Sequence, residues 1–371
     1  MKLLFIQDAL NHGGAERSHL EILSRFSEEV DVGLVYFYAK HHLKDEYERA
    51  GIQLFFLNIP ESYNFHTAIY RLIRLIRQEK PDLLVSCLWR ADIISRMASR
   101  ITGVPLVGTL VNDSYSPLAW KTKRGFKHRL VYWLDKYTAG IPVHFIANSE
   151  ALATSHVATL RIPRNKITVI YRGRDIPTAT WTPRSEIKHF VSYGRLLKRK
   201  GFQDLLIAFA RVKDVLPENW SLTIFGEGPY RSELERYISE LKLQQRVRLA
   251  GHVNSPAELL VDYDCFLFPS WYEGFSGALV EAMLVGIPII ASDIPMNLEA
   301  VSHEETALIF AVNDPYLLAD QLKVAIDNPD RMAMLGIEAR KKAIEKFSIV
   351  KIAREYEGQL KSIVGAKGEG R

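Results

Sequence analysis

Short, almost continuously apolar runs recur along the chain, separated by longer stretches in which apolar residues return every three or four positions. KLLFIQ (2–7), VDVGLVYFY (30–38), DLLVSC (82–87), VPLVGTLV (104–111) and VHFIANS (143–149) have the composition of strands buried on both faces, as in a parallel sheet covered by helices. After Pro183 the alternation restarts with HFVSYGR, SLTIFG, RVRLAG, CFLFPS, IPIIASD and ALIF. The pattern predicts two doubly wound α/β units in series. Between them, residues 172–186 carry Gly173, Pro177, Pro183 and three threonines without any apolar period, so the boundary is set there, giving domains 1–175 and 176–371. The last pattern, IVKIAREYEGQLKSIV, puts Ile349, Ile352, Tyr356, Leu360 and Ile363 on one helical face; this final helix, about 349–364, is a candidate to pack back on the first domain.

Ligands of open α/β sheets bind beyond the carboxyl ends of the strands, which predicts a cleft between the two domains and directs attention to loops that follow strands. In YEGFSGALVEAM (272–283) a strand, CFLFPS, ends and a helix starts near Gly277. Glu281 then lies one turn inside the helix, its side chain tilted back, and Glu273 lies just before it, so both carboxylates reach one small volume. The unpaired N–H groups of Ser276 to Leu279 face the same volume and suit phosphate. Ionised carboxylates accept hydrogen bonds from vicinal hydroxyls, so a ligand with central phosphates and sugars at both ends matches. Taken alone, the two glutamates fit better as a decoration of the helix start, Glu273, and a solvated helix residue, Glu281.

YGRLLKRKGF (193–202) crowds Arg195, Lys198, Arg199 and Lys200 at the end of another strand, where a guanidinium fork and a compact ammonium can neutralise a diphosphate. A solvated basic loop is the competing reading, and Arg195, flush with the strand end, fits it least. DALNHGGAERSHL (8–20) places Gly13 and Gly14 between the first strand and a helix, permitting close backbone approach of an anion or simply a tight turn. It lacks the G-x-G-x-x-G pattern of dinucleotide sites.

Composition adds limits. The 371 residues are 47% hydrophobic and 25% charged, ordinary for a folded chain long enough for two cores. No run approaches the ~20 apolar residues of a membrane span, and MKLLFIQDAL is too briefly apolar for a signal peptide. Cys87 and Cys265 sit in strand-like runs of different halves, which predicts buried free thiols and a cytoplasmic location. His12, His19, His41, His42, His144 and His252 show no metal-ligand spacing, so no metal site is expected. Residues 1–183 hold 24 Lys and Arg against 17 Asp and Glu, whereas 184–371 hold 24 against 26. The excess positive charge of the first half points to an anionic partner.

GGAER (13–17), NSEAL (148–152), VIYRGRD (169–175), GRLLKRKG (194–201), FGEGP (225–229), LAGHV (249–253) and EGFSGALVEAM (273–283) occur in an order and spacing that resembles the retaining glycosyltransferases of family four, over nearly the whole chain. The resemblance implies the GT-B fold, two Rossmann-like doubly wound domains facing across a cleft. It implies a sugar moved from a nucleotide diphosphate sugar to a hydroxyl acceptor, with no cofactor and no metal. Glu281 would hold the ribose, Glu273 the donor sugar, and Arg195 and Lys200 the diphosphate; Glu273, Arg195 and Lys200 form the implied catalytic set. Backbone groups of Gly274, Phe275, Ser276, Gly277 and Ala278 would line the donor, Gly14 would approach it from the first domain, and Gly251 would face the base.

Two positions depart from the family. Val111 and Asn112 stand where a histidine near the donor sugar is common, so Asn112 or Asp113 takes over or the role is absent; Arg172 stands where asparagine is common and could reach the acceptor. A GT-B nucleotide-sugar epimerase and a non-catalytic nucleotide-sugar-binding subunit are the rival readings. The family's lipid-linked acceptors, and the cations and aromatics of the segment Trp120–Lys136, make an anionic membrane the expected peripheral partner, with Arg71, Arg74 and Arg77 as a second cationic stripe. Core packing of Leu130, Trp133 and Leu134 is the competing reading. A nucleic-acid partner is not expected, for want of a recognised module.

Overall fold

The computed structural model describes residues 1–61, 64–115, 120 and 125–368. Strands β1 (Lys2–Gln7), β2 (Asp31–Tyr36), β3 (Gln53–Phe56), β4 (Leu83–Ser86), β5 (Leu106–Leu110), β6 (His144–Ala147) and β7 (Ile167–Val169) form one parallel sheet in the order β3-β2-β1-β4-β5-β6-β7. Strands β8 (His189–Tyr193), β9 (Ser221–Phe225), β10 (Val247–Gly251), β11 (Cys265–Phe268), β12 (Ile289–Ser292) and β13 (Leu308–Phe310) form a second parallel sheet, β10-β9-β8-β11-β12-β13. Their apolar runs are buried because helices cover both faces. The order of each sheet reverses at one place, between β1 and β4 and between β8 and β11. The loops leaving those strands therefore diverge and open a crevice at the carboxyl edge.

The chain divides into two compact units, Met1–Gly173 with Ile349–Arg371, and Arg174–Ser348. Helices α1 (Gly14–Leu23), α2 (Phe65–Glu79), α3 (Trp89–Thr102) and α4 (Phe126–Thr138) belong to the first unit, α5 (Phe202–Val212) and α6 (Gly277–Val285) to the second. The last helix, α7 (Ile349–Gly368), inserts Ile349, Ile352, Tyr356 and Leu360 among Leu3, Phe5, Ile22 and Leu23, so the end of the chain completes the core of the first unit. Ser27 donates its backbone N–H to Glu357 at 2.8 Å and fixes the register. Gly173 allows the return: a Cβ there would lie 2.8 Å from the Cα of Ile349.

Cys87 and Cys265 are free and buried, and burial pushes both thiols well above their usual range. Among the described residues no helix is long and apolar enough to cross a membrane.

Helix α4 has an inverted character. Its acidic residue, Asp135, faces inward, where the buried Arg96 of α3 donates to its carboxylate at 2.6 Å and Tyr115 donates to it at 2.8 Å. Tyr132 also turns in, donating to the Thr159 carbonyl at 3.0 Å. Pinning the polar residues inward leaves Phe126, Leu130, Trp133, Leu134 and Tyr137 exposed, Phe126 by 80% and Tyr137 by 78%. Leu130, Trp133 and Leu134 are thus not core, against the competing expectation. Of the expected membrane-facing segment, residues 121–124 lie outside the described residues.

Candidate functional site

In the second unit, Arg195, Lys198, Arg199, Lys200, Glu273 and Glu281 follow the two strands, β8 and β11, between which the sheet order reverses. The loop leaving β8 carries Arg195 to Gly201, and the loop leaving β11 carries Ser270 to Ser276 into α6. Gly201 has φ +70°, and a Cβ there would overlap the Pro269 carbonyl, so the two loops touch backbone to backbone. Trp271 N–H donates to the Arg199 carbonyl at 2.8 Å, and Arg199 Nη1 donates to the Tyr272 carbonyl at 3.0 Å. The Trp271 indole donates to Asp204 of α5 at 2.6 Å. Lys200 is ion-paired with Glu273, and Arg199 lies 3.6 Å from the same carboxylate. Burial alone would raise the Glu273 carboxyl, but the charges of Lys200 and Arg199 outweigh it and hold it below its usual range. An ionised acceptor and its cations are thereby fixed side by side before any ligand arrives.

Eight residues on, Glu281 points back along α6 and is buried. Arg174 Nε donates to Oε1 at 2.7 Å and the Tyr193 hydroxyl donates to Oε2 at 2.6 Å. The Arg174 guanidinium lies against Gly277 at the start of α6, where a Cβ would overlap it. Helix α6 begins at Gly277 with no side-chain cap on its amino end.

Of the remaining positions in the second unit, Arg195 is exposed and Lys200 is 13% exposed, so of the two Lys200 is the cation withdrawn from solvent. Phe275 turns its ring into the core against Phe347, at 5.2 Å between centroids, which leaves its backbone rather than its side chain for a ligand. Gly274, Ser276 and Ala278 lie in the turn into α6 and its first residues. Gly251, at φ +81°, ends the edge strand β10 and accepts the Gly226 N–H at 2.7 Å; it stands two strands from β8.

In the first unit Gly14 opens α1, and the Arg172 guanidinium reaches to 3.5 Å from where a Gly14 Cβ would be. The Glu16 carboxylate folds back over Gly13, so the helix start already meets an anion from the chain itself. Burial raises the Glu16 carboxyl. It also raises Asp8, which accepts the Ala91 N–H at 2.9 Å, to about 7, and lowers His19 to about 4, leaving that ring neutral. Asp113 accepts from the Ser155 hydroxyl at 2.8 Å, and Asn112 is exposed beside it.

Arg174, Tyr193, Asp204 and Trp271 were not singled out from the sequence. Only Tyr193 left a signal, as the final residue of a strand before a glycine; the others gain meaning from partners 67 and 107 residues away.

Comparison with known proteins gives two adjoining matches. The family model described as Glycosyltransferase Family 4 matches residues 12–177, and that described as Glycosyl transferases group 1 matches residues 179–342. An N-acetylgalactosamine-N,N'-diacetylbacillosaminyl-diphospho-undecaprenol 4-alpha-N-acetylgalactosaminyltransferase of Campylobacter jejuni is 26% identical over 96% of this chain and 98% of its own length. The capsular polysaccharide biosynthesis glycosyltransferase CapM of Staphylococcus aureus is 25% identical over 80% of this chain and 81% of its own. Among solved structures, Anabaena HepE in complex with UDP-glucose superposes with a TM-score of 0.82 at 23% identity, covering 98% of this chain and 100% of that one. The sucrose-phosphate synthase of Thermosynechococcus elongatus gives 0.81 at 18%, covering 99% and 100%. These structural likenesses establish a shared GT-B fold.

Proposed function

The chain belongs to glycosyltransferase family 4, and from that premise we propose that it transfers a sugar, with retention, from a nucleotide diphosphate sugar to a hydroxyl acceptor in polysaccharide or glycolipid synthesis. The observation that carries the proposal is the pairing of Lys200 with Glu273 on two loops zipped together at the reversal of the second sheet, beside the uncapped start of α6.

In this reading the diphosphate lies over the start of α6, where N–H groups point outward, with Lys200 and Arg195 neutralising its charge as the glycosidic bond breaks. Glu273, kept ionised by its cations, accepts hydrogen bonds from the donor-sugar hydroxyls, and Glu281 accepts those of the ribose. Backbone groups of 274–278 line the donor, and Gly251 borders the base. The leaving phosphate takes the acceptor's proton as the new bond forms on the same face. Chain cations and helix amides supply the electrostatic stabilisation, so transfer is expected to survive chelator. Asn112, Asp113 and Arg172 are proposed sugar or acceptor contacts.

The Campylobacter relative acts on a diphospho-undecaprenol acceptor, and a lipid-linked acceptor is proposed here as well. The outward aromatic and aliphatic face of α4, with Arg129 exposed on it and the Lys136 ammonium 5.3 Å from the Trp133 ring, supports peripheral contact with an anionic bilayer on its cytoplasmic side. The deciding experiment incubates the full chain with a panel of nucleotide diphosphate sugars, with and without lipid-linked acceptors. Transfer with retained anomeric configuration supports the proposal. Isomerised donor without acceptor would instead identify an epimerase, and donor binding without turnover on any acceptor a binding subunit.

A further inference from the structure

Arg174 stands where the chain enters the second unit, and its backbone is fixed there: its N–H donates to the Phe347 carbonyl at 3.0 Å and it bridges to Ser348. From that anchor the side chain reaches Glu281, 107 residues away, with Nε 2.7 Å from Oε1. Both side chains are buried, Arg174 at 5% exposure and Glu281 at 8%. Tyr193, the last residue of β8, donates to the other oxygen at 2.6 Å. One strong donor per oxygen fixes the plane of the carboxylate, while an ionised carboxylate, with about four lone-pair directions, keeps two for a ligand.

We propose that Arg174 is a positioning residue for nucleoside recognition: together with Tyr193 it locks Glu281 in the orientation that receives the two ribose hydroxyls. The inference rests on the donor reading given above, in which Glu281 meets the ribose. Without Arg174 the carboxylate keeps its site and loses its aim, and a bidentate grip on vicinal hydroxyls depends on aim. The glycine at 277 belongs to the same device, since any side chain there would displace the guanidinium.

The test is calorimetric titration of the full chain with UDP, with ADP and GDP if UDP does not bind, and with the 2′,3′-dideoxy form of the diphosphate that does. Wild type should bind the ribose form more tightly than the dideoxy form. Arg174→Met should weaken the ribose form at least tenfold and leave the dideoxy form within about twofold, and Arg174→Lys should restore part of the loss. Removing one partner of a buried pair leaves an unpaired charge and can unfold the chain. Arg174→Met is therefore also made on Glu281→Gln, where no further loss of affinity is expected because the two residues act as one unit. Equal weakening of the dideoxy form, unchanged ribose affinity in Arg174→Met, or an additional loss on the Glu281→Gln background overturns the inference and leaves the donor reading standing. A wild type that binds none of the diphosphates, or binds both forms equally, overturns the ribose reading and the inference with it.

Discussion

Lys200 and Glu273 are 73 residues apart in sequence and ion-paired in the fold, each largely withdrawn from solvent, at 13% and 11% side-chain exposure. The pair joins the loop that follows β8 to the loop that follows β11. The neighbouring cations hold the Glu273 carboxyl below its usual range, and the pair stays in place when a charged substrate arrives.

Lys200→Ala and Glu273→Ala are each expected to lower kcat for sugar transfer about 10²- to 10³-fold, the usual cost of losing one preorganised electrostatic contact. The double variant should lose far less than the product of the two, because each residue positions the other. Initial rates with a labelled nucleotide sugar measure both effects; a fully multiplicative double variant would contradict the pairing.

Gly201→Ala forces a side chain into a left-handed backbone and against the Pro269 carbonyl. A loss of about 1 kcal/mol or more in urea denaturation is expected. Donor affinity should fall with it, since the same contact sets the spacing of the two loops.

Asp204 accepts the Trp271 indole N–H, and burial raises its carboxyl from 3.8 to about 6. The folded chain therefore holds a proton that the unfolded chain releases between pH 4 and 6. The associated stability is fully present below about pH 4 and is lost as the pH rises through 6. Asp204→Asn removes this titration and keeps an oxygen to accept the indole. Relative to wild type, Asp204→Asn should gain stability between about pH 4 and 6 in thermal unfolding and level off above that. A difference that stays flat over that range would show that Asp204 does not titrate there.

Leu130 and Trp133 are 50% and 46% exposed on the outer face of α4. Replacing both with alanine should weaken binding to phosphatidylglycerol vesicles about tenfold or more, since each large apolar side chain is worth ~1.5–3 kcal/mol on full burial. The melting temperature should stay within a few degrees, because neither residue supports the core. Flotation at rising salt should weaken binding further, reflecting the cationic contribution. Vesicle binding unaffected by the double substitution would place the membrane contact elsewhere.

Several features were readable before the fold. The strands could be found because parallel strands are buried on both faces and must be apolar throughout. The start of α6 at Gly277 followed from the spacing of Ala278, Leu279, Ala282 and Met283 after a glycine-bracketed turn. Other readings needed correction. Arg195 looked best placed to escape solvent, yet Lys200 is the withdrawn cation, because the contact of Gly201 with Pro269 turns that end of the loop inward. That Glu16 folds back over Gly13 at the amino end of α1 was not legible in the glycine pair either. Leu130, Trp133 and Leu134 of α4 admitted a core reading, and the inward pull of Arg96 on Asp135 turned them out.

The sequence by itself determined two α/β units, the loops that bear their chemistry and the charges those loops carry, because periodicity and turn residues act between near neighbours. Only the tertiary structure decided the partners: Lys200 with Glu273, Asp204 with Trp271, Arg174 and Tyr193 with Glu281. Those pairings depend on strand order, which brings residues 67 to 107 positions apart to one crevice, and no local pattern records that order.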